Sequence, residues 1–283
     1  MRAVLKKIYR FAINYVPKNR VGDKFIAYIN FIRCHRRLPN QNLLNDYLFK
    51  IKTSDEILNV LRQFTSDKEF VKSYIGNCVG EELNVKTIAV LNNPKEIYAY
   101  DFTEGEVVKP THASGLVHFV KDKNFDKGEL INWLSLNYYE VSREANYRYL
   151  KPKIIVEEPI FGRHDVDDIK FFCVKGKVKV VQWDFDRREN HTRMLYDRNW
   201  QSLNASLGYP KSTKSKDKPS KLSEMIEVTE RLAEPFGLVR VDLFYDEDTE
   251  NYCVGEITHC HGSSNERFDS RESEIRVSSV LFG

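Results

Sequence analysis

Residues 239–262 read VRVDLFYDEDTENYCVGEITHCHG, two apolar runs joined by the polar segment DEDTEN. Short runs rich in valine, isoleucine and aromatic residues on either side of a turn-forming stretch predict two paired β-strands. Side chains two apart in a strand share a face. Val239, Val241 and Leu243 therefore point one way, and Arg240 and Asp242 the other. Glu256 and Thr258 repeat the spacing in the second run, and lie near Asp242 if DEDTEN makes the turn. Two carboxylates that close repel one another unless a cation sits between them. Mg²⁺ takes one or two carboxylates and completes its octahedron with water and phosphate oxygens. Arg240 would then face an anionic substrate or a developing oxyanion. An outward, solvated charged face is the alternative this pattern leaves open.

Upstream stretches carry further chemistry. VVKPTHASG places Lys109 at the end of a β-like run, ahead of small and hydroxyl residues that close on Gly115. Such a loop can offer backbone N–H groups to phosphate while the lysine supplies a fixed charge, although the glycine–lysine order is not that of a Walker loop. IIVEEPI ends an apolar strand in two acids and a proline, where exposed backbone can read an adenine edge; a solvated acidic tip is the plainer reading. KTIAVLN and EVVKP read as strands, DIKFFCVKGKVKVVQWDF as a hairpin turning near Gly176, and KLSEMIEVTERLAEPFG as an amphipathic helix. TSDKEFVKSYIGNCVG predicts a short helix capped by Ser66 or Asp67 and stopped at Gly76. Residues 127–148 read as helical up to Pro152, and YPKSTKSKDKPS as a mobile low-complexity stretch. Strands and helices mixed throughout place the chain in the α+β or α/β class.

Three clusters invite other readings. THCHG suggests zinc, but its spacing matches no usual site and puts alternate residues on opposite faces, so His261, Gly262 and Ser263 are read as a loop closing over an acceptor. Cys173 reads as a small buried hydrophobe. Arg187, Arg188 and Arg193 follow a strand, and either hold phosphate or an acidic sugar or are solvated loop side chains.

The net charge of +3 conceals an asymmetry. Residues 1–37 hold ten of the 44 Lys and Arg and one of the 41 acids, Asp23, which leaves 34 basic against 40 acidic side chains in the remainder. Ile8, Phe11, Ala12 and Tyr15, then Phe25, Ile26, Tyr28, Ile29 and Ile32, recur close to helical spacing. A basic amphipathic helix suits an anionic membrane surface or an acidic partner; a helix packed on the body with a solvated basic face fits equally. Nucleic acid is disfavoured, because the basic excess is confined to this segment and no aromatic–basic reading module is present. No run approaches the ~18 apolar residues of a membrane-spanning helix. Lys6, Lys7 and Arg10 interrupt any secretory signal. Five cysteines without framework spacing fit reduced thiols in a cytoplasm.

Taken in order, SDKEFVK, VVKPTHASG, IIVEEPIFG, DIKFF, RVDLF and GEIT make the chain resemble the ATP-grasp superfamily, which includes D-alanine–D-alanine ligase, from about Asp67 to Gly262. More narrowly, LPN, SDKEFVKSYIG, VVKPTHASG, IIVEEPI, DIKFFCVKGKVK and RVDLFY…GEITH are similar to the TupA-like branch, associated with teichuronopeptide and cell-surface polysaccharide biosynthesis. The resemblance implies two α/β subdomains clasping a nucleotide. Residues 1–50 would form a basic helical segment, 51–104 the N-terminal subdomain, 105–160 the lid, and 161–283 the C-terminal subdomain with the metal site.

ATP and Mg²⁺ are the implied cofactors. Lys68 and Lys109 would grip the phosphates, with Lys72 one helical turn away as a competing candidate for the first lysine. Ser114 and Gly115 would form the lid loop, and Glu157, Glu158 and Ile160 the adenine hinge. Asp168 would hold the ribose, and Lys170 belongs to the same nucleotide set. Asp242 and Glu256 would ligate Mg²⁺ and Arg240 would stabilise a tetrahedral intermediate. Thr258 stands where the wider family has asparagine, which puts a second Mg²⁺ in doubt. The implied activity is carboxylate–amine ligation on a cell-surface glycan or its lipid-linked precursor, for instance of an amino acid to a uronic acid, with the enzyme cytoplasmic or held at the inner face of the membrane. A glycan kinase and a non-catalytic nucleotide-binding scaffold are the rival readings.

Overall fold

The computed structural model describes residues 15–121, 125–163, 166–187 and 189–283. Among these, nine strands form two antiparallel sheets. The smaller contains β1 (Thr87–Leu91), β2 (Val107–Pro110), β3 (His118–Phe119) and β4 (Ile154–Glu157) in the order β1-β4-β2-β3. The larger contains β5 (Asp167–Val174), β6 (Lys177–Phe185), β7 (Thr192–Asp197), β8 (Leu238–Asp246) and β9 (Asn251–Thr258) in the order β7-β6-β5-β8-β9. The helices are α1 (Arg20–His35), α2 (Leu44–Thr53), α3 (Val60–Phe64), α4 (Phe70–Val79), α5 (Pro94–Ala99), α6 (Gly128–Leu134), α7 (Tyr138–Ser142), α8 (Leu222–Ala233) and α9 (Arg271–Phe282).

Alternation builds the larger sheet. Phe171 of β5, Trp183 of β6, Tyr196 of β7, and Val239, Val241 and Leu243 of β8 bury one face against α4 and α8. Full burial of each such side chain contributes on the order of 2 kcal/mol. The opposite face changes character along its length. At one end Phe172, Val180, Leu195 and Leu238 pack with residues of α2 and α9. At the other end the same alternation brings Lys170, Asp184, Arg193, Asp242 and Glu256 to the surface of the sheet.

Local differences from the sequence reading have physical causes. Helix α4 runs through Gly76 and ends at Gly80, whose φ of 114° is open to glycine. Asp67 Oδ1 accepts from the Glu69 and Phe70 amides at 2.9 and 3.3 Å, satisfying the start of that helix. Residues 127–148 are not one helix. Asn137 accepts from the Glu140 amide and starts α7, and Arg143, at φ 55°, ends it. The Gly176 hairpin forms as expected, with φ 71°. TRMLYD, for whose Arg193 the sequence leaves a solvated loop position as one of two open readings, is strand β7, and puts Arg193 opposite Asp184 of β6. The polar stretch 209–220 is tied down: Trp200 Nε1 donates to the Lys216 carbonyl at 2.8 Å, and the Lys216 ammonium lies 4.6 Å from the Trp183 ring centre.

Helix α1 has two faces. Asn19 caps it, and Ile26, Ala27 and Phe31 are buried. Buried Asp23 accepts from Arg143 Nη1 at 3.1 Å and from the Tyr139 hydroxyl at 2.8 Å, so the helix is bolted to the body. Its outer stripe leaves Val21 and Phe25 78% and 55% exposed, with Tyr28 and Ile32 following at helical spacing. Ile8, Phe11 and Ala12 lie outside the described residues. Among the described residues no helix is long and apolar enough to cross a membrane.

Candidate active site

A cavity of about 900 Å³ is lined by both sheets and α4. Val71, Ile75, Val107, Phe119, Ile160 and Phe244 give it an apolar portion suited to a planar ring. Lys68, Lys72, Lys109, Glu157, Asp168, Asp242 and Glu256 supply its charges. A second concavity, of about 750 Å³, lies at the end of α1 among Ile32, Arg33, Arg36 and Arg267, away from this cluster.

The cations come from β2, from α4 and from the turn that precedes α4. Lys109 projects from β2 and donates to Glu157 Oε2 at 2.7 Å, while Lys72, on α4, reaches Glu157 Oε1 at 2.6 Å. Burial works against the Glu157 charge, but the two ammonium groups outweigh it and hold the carboxyl below its usual range. Lys68 sits in the turn before α4 and donates to the Ala113 carbonyl of the lid loop. Burial lowers the pKa of both Lys68 and Lys72; Glu256 opposes the shift at Lys68 and Glu157 at Lys72. All three lysines thus reach the cavity, and Glu157 is turned inward to two of them. Glu158 also lines the cavity, half-buried, with its carboxylate paired to Lys86 at 2.5 Å instead of to the cavity lysines.

The facing wall is the polar end of the larger sheet. Strands β8 and β9 pair Arg240 with Thr258 and Asp242 with Glu256, then break register so that Leu243 faces Val254 and Gly255 is left over. This bulge has a consequence for side-chain direction. Glu256 faces the cavity although Val254, two residues earlier, enters the apolar core beside Leu243. A Cβ on Gly255 would stand 2.7 Å from the Phe244 ring and 3.2 Å from the Asp242 carbonyl, so glycine is required there.

Arg240 is gripped by Asp242, with Nε and Nη2 donating to its two oxygens at 2.6 Å each. Nη2 also reaches Thr258 Oγ1 at 3.3 Å and lies 3.6 Å from Glu256. Burial disfavours the guanidinium charge, and Asp242 more than offsets that, raising the Arg240 pKa. Lys170 stands opposite Asp242 on β5, pairs with Asp168, and lies 3.6 Å from Asp242 and 3.9 Å from Asp184. Arg193 Nε donates to Asp184 at 2.5 Å, and its Nη1 to the Leu207 carbonyl. Charges of alternating sign therefore cross the sheet, a buried arrangement that is stable only because each member has a partner.

Several predicted residues occupy other surroundings. Arg193 is buried in the charge row, whereas Arg187 lines the cavity and pairs with Asp168 at 2.6 Å. Arg188 lies outside the described residues. Ser114 and Gly115 lie in the loop between β2 and β3; Gly115, at φ 77° with nothing near its Cβ position, lines the cavity. His259 is buried between Arg62 and Thr65, at 3.0 and 2.8 Å, and His261 Nδ1 donates to Glu266 at 3.1 Å, so the THCHG side chains are engaged separately. Among the described residues no three His, Cys, Asp or Glu side chains gather as a metal site. The Asp242, Glu256 and Thr258 donors are all hard oxygens beside an open cavity, which fits Mg²⁺ if phosphate and water complete its shell.

Two antiparallel sheets closing on a cavity, with lysines on one wall and a carboxylate pair on the other, define the ATP-grasp class of nucleotide-binding fold. The chain belongs to the TupA-like ATP-grasp family, whose model matches residues 49–277. No curated protein matches the chain. Among solved structures it is similar to D-alanine–D-alanine ligase from Bacillus anthracis complexed with ATP, at 16% identity and a TM-score of 0.38, covering 70% of this chain and 54% of that one. It is also similar to the ATP-grasp ligase PsnB complexed with minimal precursor, at 12% identity and a TM-score of 0.42, covering 77% and 59%. D-alanine–D-alanine ligase from Helicobacter pylori follows at 18% identity and a TM-score of 0.38, covering 77% and 61%. The chain thus spans between 54% and 61% of the length of these proteins.

Proposed function

We propose that the chain is an ATP-dependent carboxylate–amine ligase. A substrate carboxylate takes the γ-phosphoryl group of ATP, giving an acyl phosphate and ADP, and an amine then displaces phosphate to form an amide. One observation carries this reading: Asp242 and Glu256 are cross-strand partners on one cavity wall, with Lys68, Lys72 and Lys109 on the other. Lys68 and Lys109 bind and orient the phosphates, Lys72 assists them through Glu157, and residues 105–160 act as the lid. Asp242 and Glu256, with Thr258 beside them, would hold Mg²⁺, which supplies charge neutralisation at the transferring phosphoryl group. Asp242 fixes the Arg240 guanidinium, which stabilises the oxyanion of the amide-forming step.

In the TupA-like setting the carboxylate would be a uronic acid of a surface glycan or its lipid-linked precursor, and the amine an amino acid. Work at the inner face of the cytoplasmic membrane is supported by the exposed Val21, Phe25, Tyr28 and Ile32 stripe on a basic helix. Calorimetric titration with ADP, with and without Mg²⁺, tests the nucleotide site. Phosphate release from ATP with paired uronic and amino acids then tests the chemistry: a ligase frees phosphate, and a kinase leaves it on the acceptor. No binding of ADP under any Mg²⁺ condition would remove the ligase and kinase readings together.

A further inference from the structure

Helix α2 lies largely outside the segments read for chemistry, yet it delivers a buried cation next to the reaction site. Lys52, 3% exposed, donates from Nζ to Ser263 Oγ and, at 3.5 Å, to the Ser142 carbonyl. Ser263 also hydrogen-bonds the half-buried Glu144 carboxylate. The two opposite charges are thus bridged by one hydroxyl, and neither makes an ion pair among the described residues. A buried cation and anion held apart in this way each keep unmet demand for a charged partner.

The surroundings point the same way. Ser263 belongs to a turn in which Gly262, Ser263 and Ser264 all take left-handed conformations, at φ 54°, 56° and 61°. Two such non-glycine residues in succession are strained, and strain of this kind collects at binding sites. Ser264 Oγ, in a residue 1% exposed, has no hydrogen-bond partner. Tyr138 and Tyr147, ring centres 4.8 Å apart, lie within electrostatic reach of both Glu144 and Glu256, and the Tyr138 hydroxyl bonds Ser114 in the lid loop. The two tyrosines therefore link this cluster to Glu256 and to the lid. Burial also raises the Glu144 carboxyl above its usual range, against the pull of Lys52, as expected of an acid without its cation.

We propose that Lys52, Glu144 and the 262–264 turn form the seat of the amine substrate, which is a free amino acid: Glu144 receives its ammonium group and Lys52 its carboxylate. This rests on the ligase reading and narrows it, since an amino sugar or a simple amine leaves Lys52 without a partner. The seat requires both charges of the ligand.

The test uses the full chain saturated with ADP and Mg²⁺. Free L-alanine, D-alanine, L-glutamate and L-lysine, together with their C-terminal amides and N-acetyl derivatives, are titrated by saturation-transfer NMR. At least one free amino acid should bind, and its amide and N-acetyl forms at least about tenfold more weakly. Lys52→Met should bring the free acid down to the level of its amide, Lys52→Arg should restore the difference, and Glu144→Gln should remove the preference over the N-acetyl form. ADP affinity should stay unchanged in all three. Failure of every probe to bind the ADP-loaded wild type would overturn the seat while leaving the nucleotide site standing, as would unchanged preferences in the variants. Should Lys52→Met lose ADP binding through misfolding, Glu144→Gln alone decides.

Discussion

Asp242 and Glu256 are proposed to share one metal, yet the structure gives them unequal second roles, and that inequality can be measured. The Asp242 side chain is 7% exposed and accepts both 2.6 Å bonds from Arg240, itself 12% exposed. Asp242→Asn leaves a buried guanidinium without its anion. Breaking a buried pair from one side costs about 3 kcal/mol or more. For a chain of this size that corresponds to a fall in melting temperature of roughly 6–12 °C. Glu256 is different: its side chain is 40% exposed and its oxygen lies 3.6 Å from Arg240, so Glu256→Gln should cost no more than about 1 kcal/mol. Both variants should weaken Mg²⁺-dependent ADP binding, by about tenfold, or ~1.4 kcal/mol, for Glu256→Gln. Thermal melts followed by calorimetric ADP titration at fixed Mg²⁺ read both quantities. If Asp242→Asn melts like the wild type, Arg240 is not held as described. If Glu256→Gln binds ADP with undiminished Mg²⁺ dependence, the carboxylate pair is not the metal site.

Other consequences can be checked alongside. Gly255→Val should destabilise the fold by roughly 1–3 kcal/mol, since its Cβ meets the Phe244 ring, and should weaken ADP binding by moving Glu256; a melt matching the wild type would count against the bulge. Glu157→Gln leaves Lys72 and Lys109 mutually repelling, and should lower the melting temperature in low salt with partial recovery as salt screens them. Burial acts to raise the Glu266 carboxyl, but the His261 hydrogen bond and the Arg193 and Arg240 charges prevail and hold it at about 2. Its contribution to stability is present above about pH 4.5 and is lost as pH falls toward 2, so Glu266→Gln should flatten that part of an acid titration. Phe25→Ser with Ile32→Ser should release the protein from vesicles rich in anionic lipid without changing its melting temperature, because both side chains lie on the outer stripe. Deleting residues 1–37 would be a poorer test, since it strips Asp23 from buried Arg143 and Arg37 from Asp46.

Much of the site was legible because local rules place it. Period-two alternation put Arg240 and Asp242 on one face and Val239, Val241 and Leu243 on the other, and the sheet keeps that division. The lysine ahead of the small-residue loop and the acidic strand end were readable for the same reason: each is a property of a few consecutive residues. The β8–β9 turn and the Gly176 hairpin also declare themselves locally.

What only tertiary structure decided depends on residues far apart in sequence. The inward turn of Glu157 follows from Lys72 and Lys109 arriving on α4 and β2. The bulge at Gly255 is invisible in its own strand and is set by pairing with β8, where Leu243 and Val254 must both reach the core. Strand β7 was missed because its arginine resembles a loop residue until Asp184 stands opposite to neutralise it. Lys52 and Glu144, separated in sequence by three of the four strands of the smaller sheet, are bridged through Ser263 only because α2 packs against the turn after β9. Within an unbroken strand such as β8, sequence alone determined which side chains share a face; the bulge that turns Glu256 to the cavity, and the long-range pairing of charges that a buried site requires, came from the fold.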